Sequence, residues 1–584
     1  MLPTISTVRV AFVSLCCSLA AVCASAADRP NVILIMTDDQ GYGDFGVMGN
    51  PVIETPQIDA MAGRSASMST FYVCPVCSPT RASLMTGRYN FRTRVIDTYV
   101  GRSMMDPAEV TVAEVLNGAG YATGIFGKWH LGDCYPMRPL DQGFEESLVH
   151  RGGGLAQPSE PPENDRRYTD PILFHNGKQV ATKGYCTDVY FRAALDFIEQ
   201  AHQAERPFFT YVATNAPHSP FHDVPEKLRE HYAKKDMAKI VVPKLHGKQL
   251  EKEVDRLTRI AAMITNIDQN IGRLFARLDA LGLTENTLVI FLVDNGPNSM
   301  RYVGPLRGMK AGVFEGGVRS PLWLHWPARL KPGTVRDEVA AHIDLMPTIL
   351  AACGVAPPAD LQLDGRNLLP LLEDEAVDWP ERTIALQWHR ADRPMRYHHF
   401  MIRDARWKLL HNSSYWLARF EGPPRFELYD LLNDPGEAND LAEQKPEIVA
   451  RLKQAYDQWF DDVSSTRPDN YAPPRIILGT KHENPTVLTR QDWRSNDGWR
   501  SGALGHWQVT IARAGRYDFH ITLEKGSPGG TVALRAGSAV VRQELSANQF
   551  SCDFHGVELP AGKAELQAIA TNKGQKRGVY QMQV

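Results

Sequence analysis

Four short apolar runs in the first half of the chain most strongly constrain its fold. Amphipathic helical patterns lie between them, including residues 110–117, 189–200 and 254–281. Short continuous apolar runs are typical of strands buried on both faces of a parallel sheet. The alternation therefore predicts an α/β fold with a mostly parallel central sheet flanked by helices. The four runs are Asn31–Met36, Tyr121–Phe126, Pro207–Ala213 and Thr287–Val293.

The pattern changes near residue 381, and the remaining chain divides into three predicted parts. Antiparallel strands and an amphipathic helix predict a small α+β subdomain over 381–463, after an α/β domain over 27–380. Residues 464–485 are rich in Pro, Ser, Thr and Asn and are predicted to be a linker. Short alternating segments separated by glycine turns then predict an accessory β-sandwich over 486–584.

The N-terminal segment has the pattern of a secretory signal peptide. Arg9 supplies a positive charge, residues 10–22 are almost continuously apolar, and Ala24-Ser25-Ala26 fits the cleavage rule. We expect a signal peptide over 1–26 and an exported protein, either periplasmic or secreted. An N-terminal membrane anchor is the alternative, but the run is short for a bilayer, and no later stretch predicts a span.

Composition and charge exclude some classes of protein. The chain has 584 residues, 43% of them hydrophobic and 22% charged, which is typical of a globular protein. Its 64 Lys and Arg residues against 67 Asp and Glu residues give a net charge of -3. Without a basic excess to neutralise phosphates, we expect no nucleic-acid partner.

The cysteines are widely scattered and do not form a disulfide framework whose pairing could be deduced. Cys74 and Cys77 have a C-x-x-C spacing, but no second such pair or paired histidine follows, so a zinc site is poorly supported. Six cysteines remain after the predicted cleavage: Cys74, Cys77, Cys134, Cys186, Cys353 and Cys552.

Polar residues follow the end of each apolar run. Ligands in open α/β sheets bind outside the carboxyl ends of the strands, so we expect these residues to meet at one edge. Alone, each cluster could be a plain turn or helix cap. Together they offer carboxylate and amide oxygens, the ligands of Ca²⁺ or Mg²⁺. The residues are Asp38, Asp39, Lys128, His130, Asn215, His218, Asp294 and Asn295.

A predicted helix begins close to Cys77. Pro79 suits its first turn and Gly87 its end, so Cys77 lies at the positive end of the helix dipole, where a thiol pKa is lowered. Arg81 is about one turn further and can face the same point. Cys77 is therefore a candidate nucleophile, and the alternative is a buried structural cysteine.

These motifs resemble the type I sulfatases of the alkaline phosphatase superfamily, which include the arylsulfatases. Cys77-Ser-Pro-Thr-Arg81 matches the C-x-P-x-R core of their signature, with Thr80 where Ser is commoner. Residues 127–132 resemble the second signature, and residues 314–319, with Lys310 just before them, resemble a third stretch. The resemblance covers about residues 29–460, leaves the C-terminal segment outside, and implies an alkaline-phosphatase-like α/β fold.

The resemblance also implies a chemistry and a set of roles. A separate maturation enzyme would oxidise Cys77 to Cα-formylglycine, whose hydrate attacks the sulfur of a sulfate ester. Arg81 would hold the attacking hydroxyl, and His130 would take the proton from the second hydroxyl. Lys128, His218 and Lys310 would bind the sulfate, and His218, with Lys310, would protonate the leaving alcohol. The expected Ca²⁺ ligands, with Mg²⁺ as the alternative ion, are Asp38, Asp39, Asp294, Asn295 and modified Cys77.

Loops around this edge should select the substrate, for which a sulfated carbohydrate is the leading expectation. The candidates are residues 135–168, with His150-Arg151 and a glycine run, residues 299–302, and residues 388–390. Trp493, Trp499 and Trp507 of the C-terminal segment could bind sugars, although burial in a core is favoured. The alternatives are a phosphomonoester or phosphonate hydrolase and a non-catalytic glycan-binding protein.

Overall fold

The computed structural model describes residues 29–373, 377–469, 471–524 and 529–584. The predicted signal peptide, residues 1–26, lies outside these ranges. Every helix within them is too short or too polar to cross a membrane.

The N-terminal part of the chain alternates strands and helices, as the apolar runs predict. Its strands are β1 (Asn31–Thr37), β2 (Ala66–Met68), β3 (Phe71–Tyr72), β4 (Ala122–Lys128), β5 (Glu146–His150), β6 (Ile172–His175), β7 (Lys178–Ala181), β8 (Phe208–Ala213), β9 (Thr287–Val293), β10 (Arg319–Ser320), β11 (Leu322–His325), β12 (Val335–Arg336) and β13 (Ala340–Ala341). Its helices are α1 (Pro56–Gly63), α2 (Cys77–Thr86), α3 (Val112–Gly118), α4 (Cys186–Gln203), α5 (Glu226–Tyr232), α6 (Gly247–Ala280), α7 (Glu315–Val318), α8 (Leu345–Ala352) and α9 (Leu369–Leu372).

One large sheet organises this part, with strand order β12-β2-β11-β9-β1-β8-β4-β5-β6-β7. The four predicted strands β9, β1, β8 and β4 are neighbours at its centre, and the pairings among these four are parallel. Antiparallel pairings occur only towards the flanks, at β11, β6 and β7, among the strands described. The predicted α/β fold with a parallel centre is confirmed.

Both faces of the sheet are covered, which explains why its central strands are apolar throughout. Along β1, Ile33 and Ile35 face a core that includes residues of α4 and α6. Val32, Leu34 and Met36 face the other core, which includes residues of α3 and α8. Successive residues of a strand point to opposite faces, so burial on both sides requires this uninterrupted run.

The α+β subdomain follows the large sheet in the chain. Strands β14 (Ile384–Gln387), β15 (Phe400–Arg403), β16 (Trp407–His411) and β17 (Glu427–Asp430) form an antiparallel sheet in that order. Helix α10 (Pro446–Ser464) packs on β15 and β16 and extends one turn beyond the predicted helix.

The C-terminal segment forms two facing sheets around one core, the expected sandwich. One sheet contains β18, β20, β22, β23, β25 and β26, and the other contains β19, β21, β24 and β27. The bounds are β18 (Ile476–Leu478), β19 (Val487–Thr489), β20 (Trp507–Ile511), β21 (Gly515–Thr522), β22 (Gly530–Ala536), β23 (Ala539–Leu545), β24 (Ser551–Leu559), β25 (Gly562–Asn572), β26 (Gln575–Gly578) and β27 (Gln581–Gln583).

Two features of this sandwich differ from the sequence prediction. The predicted linker 464–485 contains β18, which pairs in parallel with β20, so the sheet begins at Ile476 rather than beyond 485. The sandwich also shares its core with Met104, Cys134 and Met137 of the α/β domain. Pairing with β20 makes this apolar Ile-Ile-Leu run a strand despite the turn-like composition around it.

Candidate active site

The polar residues that follow the central strands meet at one edge of the large sheet. Thr37 of β1 pairs with Val293 of β9, so the residues directly after these strands, Asp38 and Asp294, are neighbours. The end of β8 lies between the ends of β1 and β4. Lys128 is the last residue of β4 rather than part of the following loop.

Carboxylates form the centre of this cluster. The Lys128 Nζ atom donates to Asp38 Oδ2 at 2.7 Å, and both side chains are fully buried. The backbone N–H of Asp39 donates to Asp294 Oδ1 at 3.2 Å, and Asn295 Nδ2 donates to Asp39 Oδ1 at 2.9 Å. Asp39 has a left-handed φ of 64°, which is unusual for a non-glycine residue and indicates a conformation imposed by its surroundings.

Helix α2 carries Cys77 and Arg81 into the same cluster. It begins at Cys77 and ends before Gly87, whose φ of 64° suits a glycine cap. Arg81 Nη2 donates to Asp294 Oδ2 at 3.0 Å, and its Nη1 donates to the Lys128 carbonyl at 2.9 Å. Arg81 therefore binds two of the converging strand ends and fixes the helix against them.

Two histidines border the cluster with opposite ring orientations. His130 Nε2 lies 2.7 Å from the Thr98 carbonyl, to which it donates as the N–H tautomer, and its Nδ1 lies 3.4 Å from Cys77 Sγ. His218 Nδ1 donates to the Ser219 carbonyl at 2.8 Å, and its Nε2 lies 3.6 Å from Asp39 Oδ2. Each ring thus keeps one nitrogen directed towards the centre of the site.

Burial dominates the electrostatics of the site. Burial, reinforced by Lys128, holds the pKa of His130 well below its usual range, so the ring is neutral at pH 7. Burial lowers the pKa of His218 to about 4, although Asp39 opposes the shift. Burial raises the pKa of the Cys77 thiol, so the lowered pKa expected from its place at the helix start is wrong, and the unmodified side chain stays protonated. Burial, together with the negative charge of Asp38, raises the pKa of Asp294.

The residues present fit a hard divalent cation. One carboxylate oxygen each of Asp38 and Asp294 lies within 4.8 Å of Cys77 Sγ and of the other, and Asp38, Asp39 and His218 form a second such group. Within the described chain, Asp38 Oδ1 and Asn295 Oδ1 are buried without a hydrogen-bond partner. Buried unpaired oxygens are costly, and a cation between them would relieve both that cost and the repulsion that raises the pKa of Asp294.

Comparison with known proteins identifies the family. The family model described as Sulfatase matches residues 30–355, and the one described as N-sulphoglucosamine sulphohydrolase, C-terminal, matches residues 309–461. The chain belongs to the sulfatase family. It is an enzyme, as the sequence motifs predict.

Several similar proteins have names or titles that refer to carbohydrates. The chain is 35% identical to the N-acetylgalactosamine-6-sulfatase of Canis lupus familiaris over 387 residues, 61% of this chain and 69% of the relative. It is 28% identical to the N-acetylgalactosamine-6-O-sulfatase of Bacteroides thetaiotaomicron, covering 73% of this chain and 92% of that one. The crystal structure of Ps i-CgsB in complex with k-i-k-neocarrahexaose matches with a TM-score of 0.62 and 28% identity, covering 74% of this chain and 92% of the other.

The third family stretch anchors Lys310 of this sulfatase. The Lys310 ammonium forms an ion pair with Asp39, and its backbone N–H donates to the Pro297 carbonyl at 2.9 Å. Glu315, five residues further, is buried and accepts hydrogen bonds from Tyr72 at 2.7 Å and Lys408 at 2.9 Å. This buried carboxylate ties the loop that carries Lys310 to the α+β subdomain.

Arg319 lies outside the predicted site and has a structural role in the same region. Its guanidinium bonds Glu315 at 2.9 Å and the carbonyl of Ser69, away from the cluster around Cys77.

Several residues predicted to contact substrate are instead internal. His150 is the last residue of β5 and is fully buried against Tyr190, whose hydroxyl lies 3.1 Å from its Nδ1. Arg151 lies over the Phe174 ring at 4.1 Å and donates to the Ser159 carbonyl. These two side chains are internal and are not exposed to contact substrate.

The two other predicted substrate loops are also partly buried. Arg301 is buried, pairs with Asp44, and donates to the Asp39 carbonyl at 3.0 Å. Trp388 is 1% exposed, and its neighbour Arg390 remains half-buried over the Tyr99 ring. The glycine run 152–154 does reach the cluster: a Cβ on Gly154 would lie 3.0 Å from His218 Nδ1.

Cys74 and Cys77 do not act together. Cys74 Sγ lies 3.4 Å from His342 Nε2, whereas Cys77 Sγ faces His130. All six cysteines of the described ranges are free thiols. Cys74 precedes α2 and Cys77 is its first residue, so the two thiols face different partners although they are only three residues apart. The C-x-x-C spacing therefore does not mark a shared site.

Sequence reasoning missed three residues that support the site. Thr80 Oγ1 donates to the Asp294 carbonyl at 2.7 Å, and Thr98 provides the carbonyl that binds His130. Gln491 of the C-terminal segment approaches the same histidine, with its Nε2 3.3 Å from His130 Nε2. Thr80 lies inside the signature motif, but nothing local to Thr98 or Gln491 marks them.

Proposed function

We propose that this sulfatase removes sulfate from an alcohol-type ester of a sulfated carbohydrate, with residue 77 as the nucleophile after oxidation to Cα-formylglycine. The observation that carries the proposal is the position of Cys77, at the start of α2, next to the carboxylates of Asp38 and Asp294 and 3.4 Å from His130 Nδ1. The relatives named above support the carbohydrate class.

Oxidation of Cys77 would replace an unreactive group with a reactive one. Burial raises the pKa of the thiol, and a protonated thiol is a poor nucleophile. The hydrate of the formylglycine aldehyde supplies a hydroxyl nucleophile and hard oxygens in its place. The expected partner for this modification is a separate formylglycine-forming maturation enzyme.

A divalent cation, Ca²⁺ or alternatively Mg²⁺, would be held by Asp38, Asp39, Asp294, Asn295 and modified residue 77. When bound, it acts as a Lewis acid on the sulfate and lowers the pKa of a coordinated hydroxyl. The unpaired oxygens of Asp38 and Asn295 support this ligand set.

The remaining side chains bind the sulfate and move protons. Lys128 and Lys310 present fixed positive charges at the point where negative charge develops on the sulfate oxygens. His130 is neutral, and its Nδ1 can accept the proton from a hydroxyl on residue 77. His218 is neutral without substrate, but a bound sulfate beside it raises its pKa and makes it the donor to the leaving alcohol.

The test is the release of inorganic sulfate from a panel of sulfated saccharides. The panel includes N-acetylgalactosamine 6-sulfate, sulfated carrageenan oligosaccharides and, for the rival activity, p-nitrophenyl phosphate. We expect the Cys77→Ala variant to lose sulfate release and the Cys74→Ala variant to keep it, since both thiols are buried but only one faces the cluster. Hydrolysis of the phosphate alone would indicate a phosphomonoester hydrolase, and binding without release would indicate a glycan-binding protein.

Export is proposed on the strength of the signal pattern in residues 1–26. N-terminal sequencing of the mature protein should begin at Ala27. A mature chain that still begins at Met1 would contradict cleavage.

A further inference from the structure

A buried segment of the C-terminal sandwich reaches the catalytic side of the molecule. It leaves β19 at Thr489 and runs through Gln491 to Trp493, and its side chains are almost completely enclosed. The Gln491 side chain is only 1% exposed. Buried amides usually have hydrogen-bond partners, and those of the Gln491 nitrogen indicate what the residue does, whereas its Oε1 has none among the described residues.

Gln491 binds both ends of a loop beside His130. Its Nε2 donates to the Thr98 carbonyl at 2.9 Å and to Ser103 Oγ at 3.1 Å. The backbone carbonyl of Gln491 accepts a third bond from Gly101 N–H at 2.9 Å. The loop between Thr98 and Ser103 has no helix or strand of its own, and Val100 and Gly101 both have left-handed φ angles. These contacts join the loop to the C-terminal sandwich at three points.

The same segment holds the chain on the other side of His130. Asp492 Oδ2 accepts the backbone N–H of Asp133 at 2.8 Å, three residues after the histidine. His130 itself has a φ of 63°, a conformation that persists only where the surroundings impose it. Gln491 and Asp492 thus secure both the backbone after His130 and the carbonyl that its ring binds.

The Thr98 carbonyl selects the tautomer of His130. It accepts from His130 Nε2 at 2.7 Å and from Gln491 Nε2 at 2.9 Å. With the proton on Nε2, Nδ1 carries the lone pair that faces residue 77. A shift of this carbonyl would release the ring, and it would permit the other tautomer, in which Nδ1 cannot accept a proton.

We propose that Gln491 is a positioning residue for His130, supplied by the C-terminal sandwich, which makes the sandwich part of the catalytic unit. The proposal rests on the proposed function, in which His130 accepts a proton from residue 77. Its physical basis parallels the outer partners of metal-bound histidines, which orient the ring by binding its distal nitrogen.

The first experiment compares kcat and KM for sulfate release by the full-length enzyme and its Gln491→Met variant. Methionine keeps the length of the side chain and removes the N–H donors. We expect kcat to fall about 10- to 100-fold, as for loss of other orienting partners of histidines, with KM unchanged. The matched control is Gln567→Met, since Gln567 is in the same sandwich and donates to a backbone carbonyl, that of Gly505 at 3.3 Å, away from His130.

The second experiment is a double-mutant cycle with His130→Ala. If Gln491 acts through His130, Gln491→Met lowers kcat in the wild type but has no further effect in the His130→Ala background. A merely structural role would lower kcat by the same factor in both backgrounds, and that result would overturn the proposal, as would an equal loss in the Gln567→Met control.

The outcomes separate this inference from the function on which it rests. Wild-type kcat in the Gln491→Met variant, with the kcat of His130→Ala strongly reduced but measurable, rejects only the role of Gln491. Full activity in His130→Ala rejects the role of His130 and with it the proposed mechanism. Thermal unfolding of each variant identifies any loss of folded protein. The double-mutant cycle is then evaluated only for variants that are folded, and it tests whether Gln491 acts through His130.

Discussion

Replacing Lys408 with methionine should strongly destabilise the protein. Lys408 lies on β16, is fully buried, donates to Glu315 at 2.9 Å and forms an ion pair with Glu437 at 2.8 Å. The Lys408→Met variant keeps the apolar stem but leaves the buried Glu437 without its cation and Glu315 paired with Arg319. Removing one partner of a buried ion pair costs about 3–5 kcal/mol, because the remaining charge is left uncompensated.

The pKa shifts of these groups agree with that expectation. Burial would raise the pKa of Glu315, but Lys408 and Arg319 hold it below its usual range. Glu437 keeps a raised pKa, because burial and the charge of Glu315 outweigh the attraction of Lys408. Without Lys408, at least one carboxylate must bind a proton at neutral pH.

The assay is urea unfolding followed by tryptophan fluorescence, with the free energy of unfolding taken from the transition midpoint. The matched control is Lys453→Met, since Lys453 forms a similar bond, 2.9 Å to Asp457, on the exposed face of α10. Exposed pairs contribute about 0.2–1 kcal/mol, so this variant should unfold near the wild-type midpoint. A Lys408→Met variant as stable as Lys453→Met would refute the reasoning.

Three further predictions concern pH, metal and the wall of the site. Burial, opposed by Arg151, raises the pKa of Glu160 to about 7 from 4.5. The protonated Glu160 side chain therefore contributes stability that is fully present below pH 4.5 and is lost as pH rises through about 7. Glu160→Gln, whose amide does not ionise, should remove about 3 kcal/mol of that pH dependence, and unchanged pH profiles of unfolding would contradict the shift. Removing divalent cations with a chelator should lower the thermal midpoint of unfolding. Adding Ca²⁺ at 100-fold above its Kd should restore about 2.7 kcal/mol of the free energy of unfolding. An unchanged midpoint would argue against a resident ion. In Gly153→Ala the new Cβ would lie 2.8 Å from His130 Cε1 and would also contact Gln157 Oε1 too closely, so kcat should fall. The control Gly515→Ala, with no described atom within 4 Å of its Cβ, should retain wild-type kcat. Equal kcat values for the two variants would contradict this placement of His130.

The central sheet and α2 could be predicted from sequence because their signals are local. The apolar run Thr287–Val293 coincides with β9, since a strand buried on both faces must be apolar throughout. Gly87 marks the end of α2 because the cap there requires a left-handed φ. Parallel pairing then places the residues after each strand at one edge without further information.

What could not be predicted depends on contacts between distant parts of the chain. Gln491 is 361 residues from His130, and its own neighbours form no recognisable motif. His150 resembles a substrate-binding loop residue in sequence, but the extension of β5 and the Tyr190 ring enclose it. The strand β18 is hidden in a Pro-rich stretch because only its partner β20 makes it a strand.

The most direct test of the account is the mass of the tryptic peptide Ser65–Arg81 from the native-host protein that releases sulfate. This peptide carries both Cys74 and Cys77, so fragmentation can assign any modification to one of them. We predict formylglycine at position 77 and an intact thiol at position 74, which provides the internal control. An active enzyme with an unmodified Cys77 would contradict the central claim that residue 77 acts as an oxidised nucleophile.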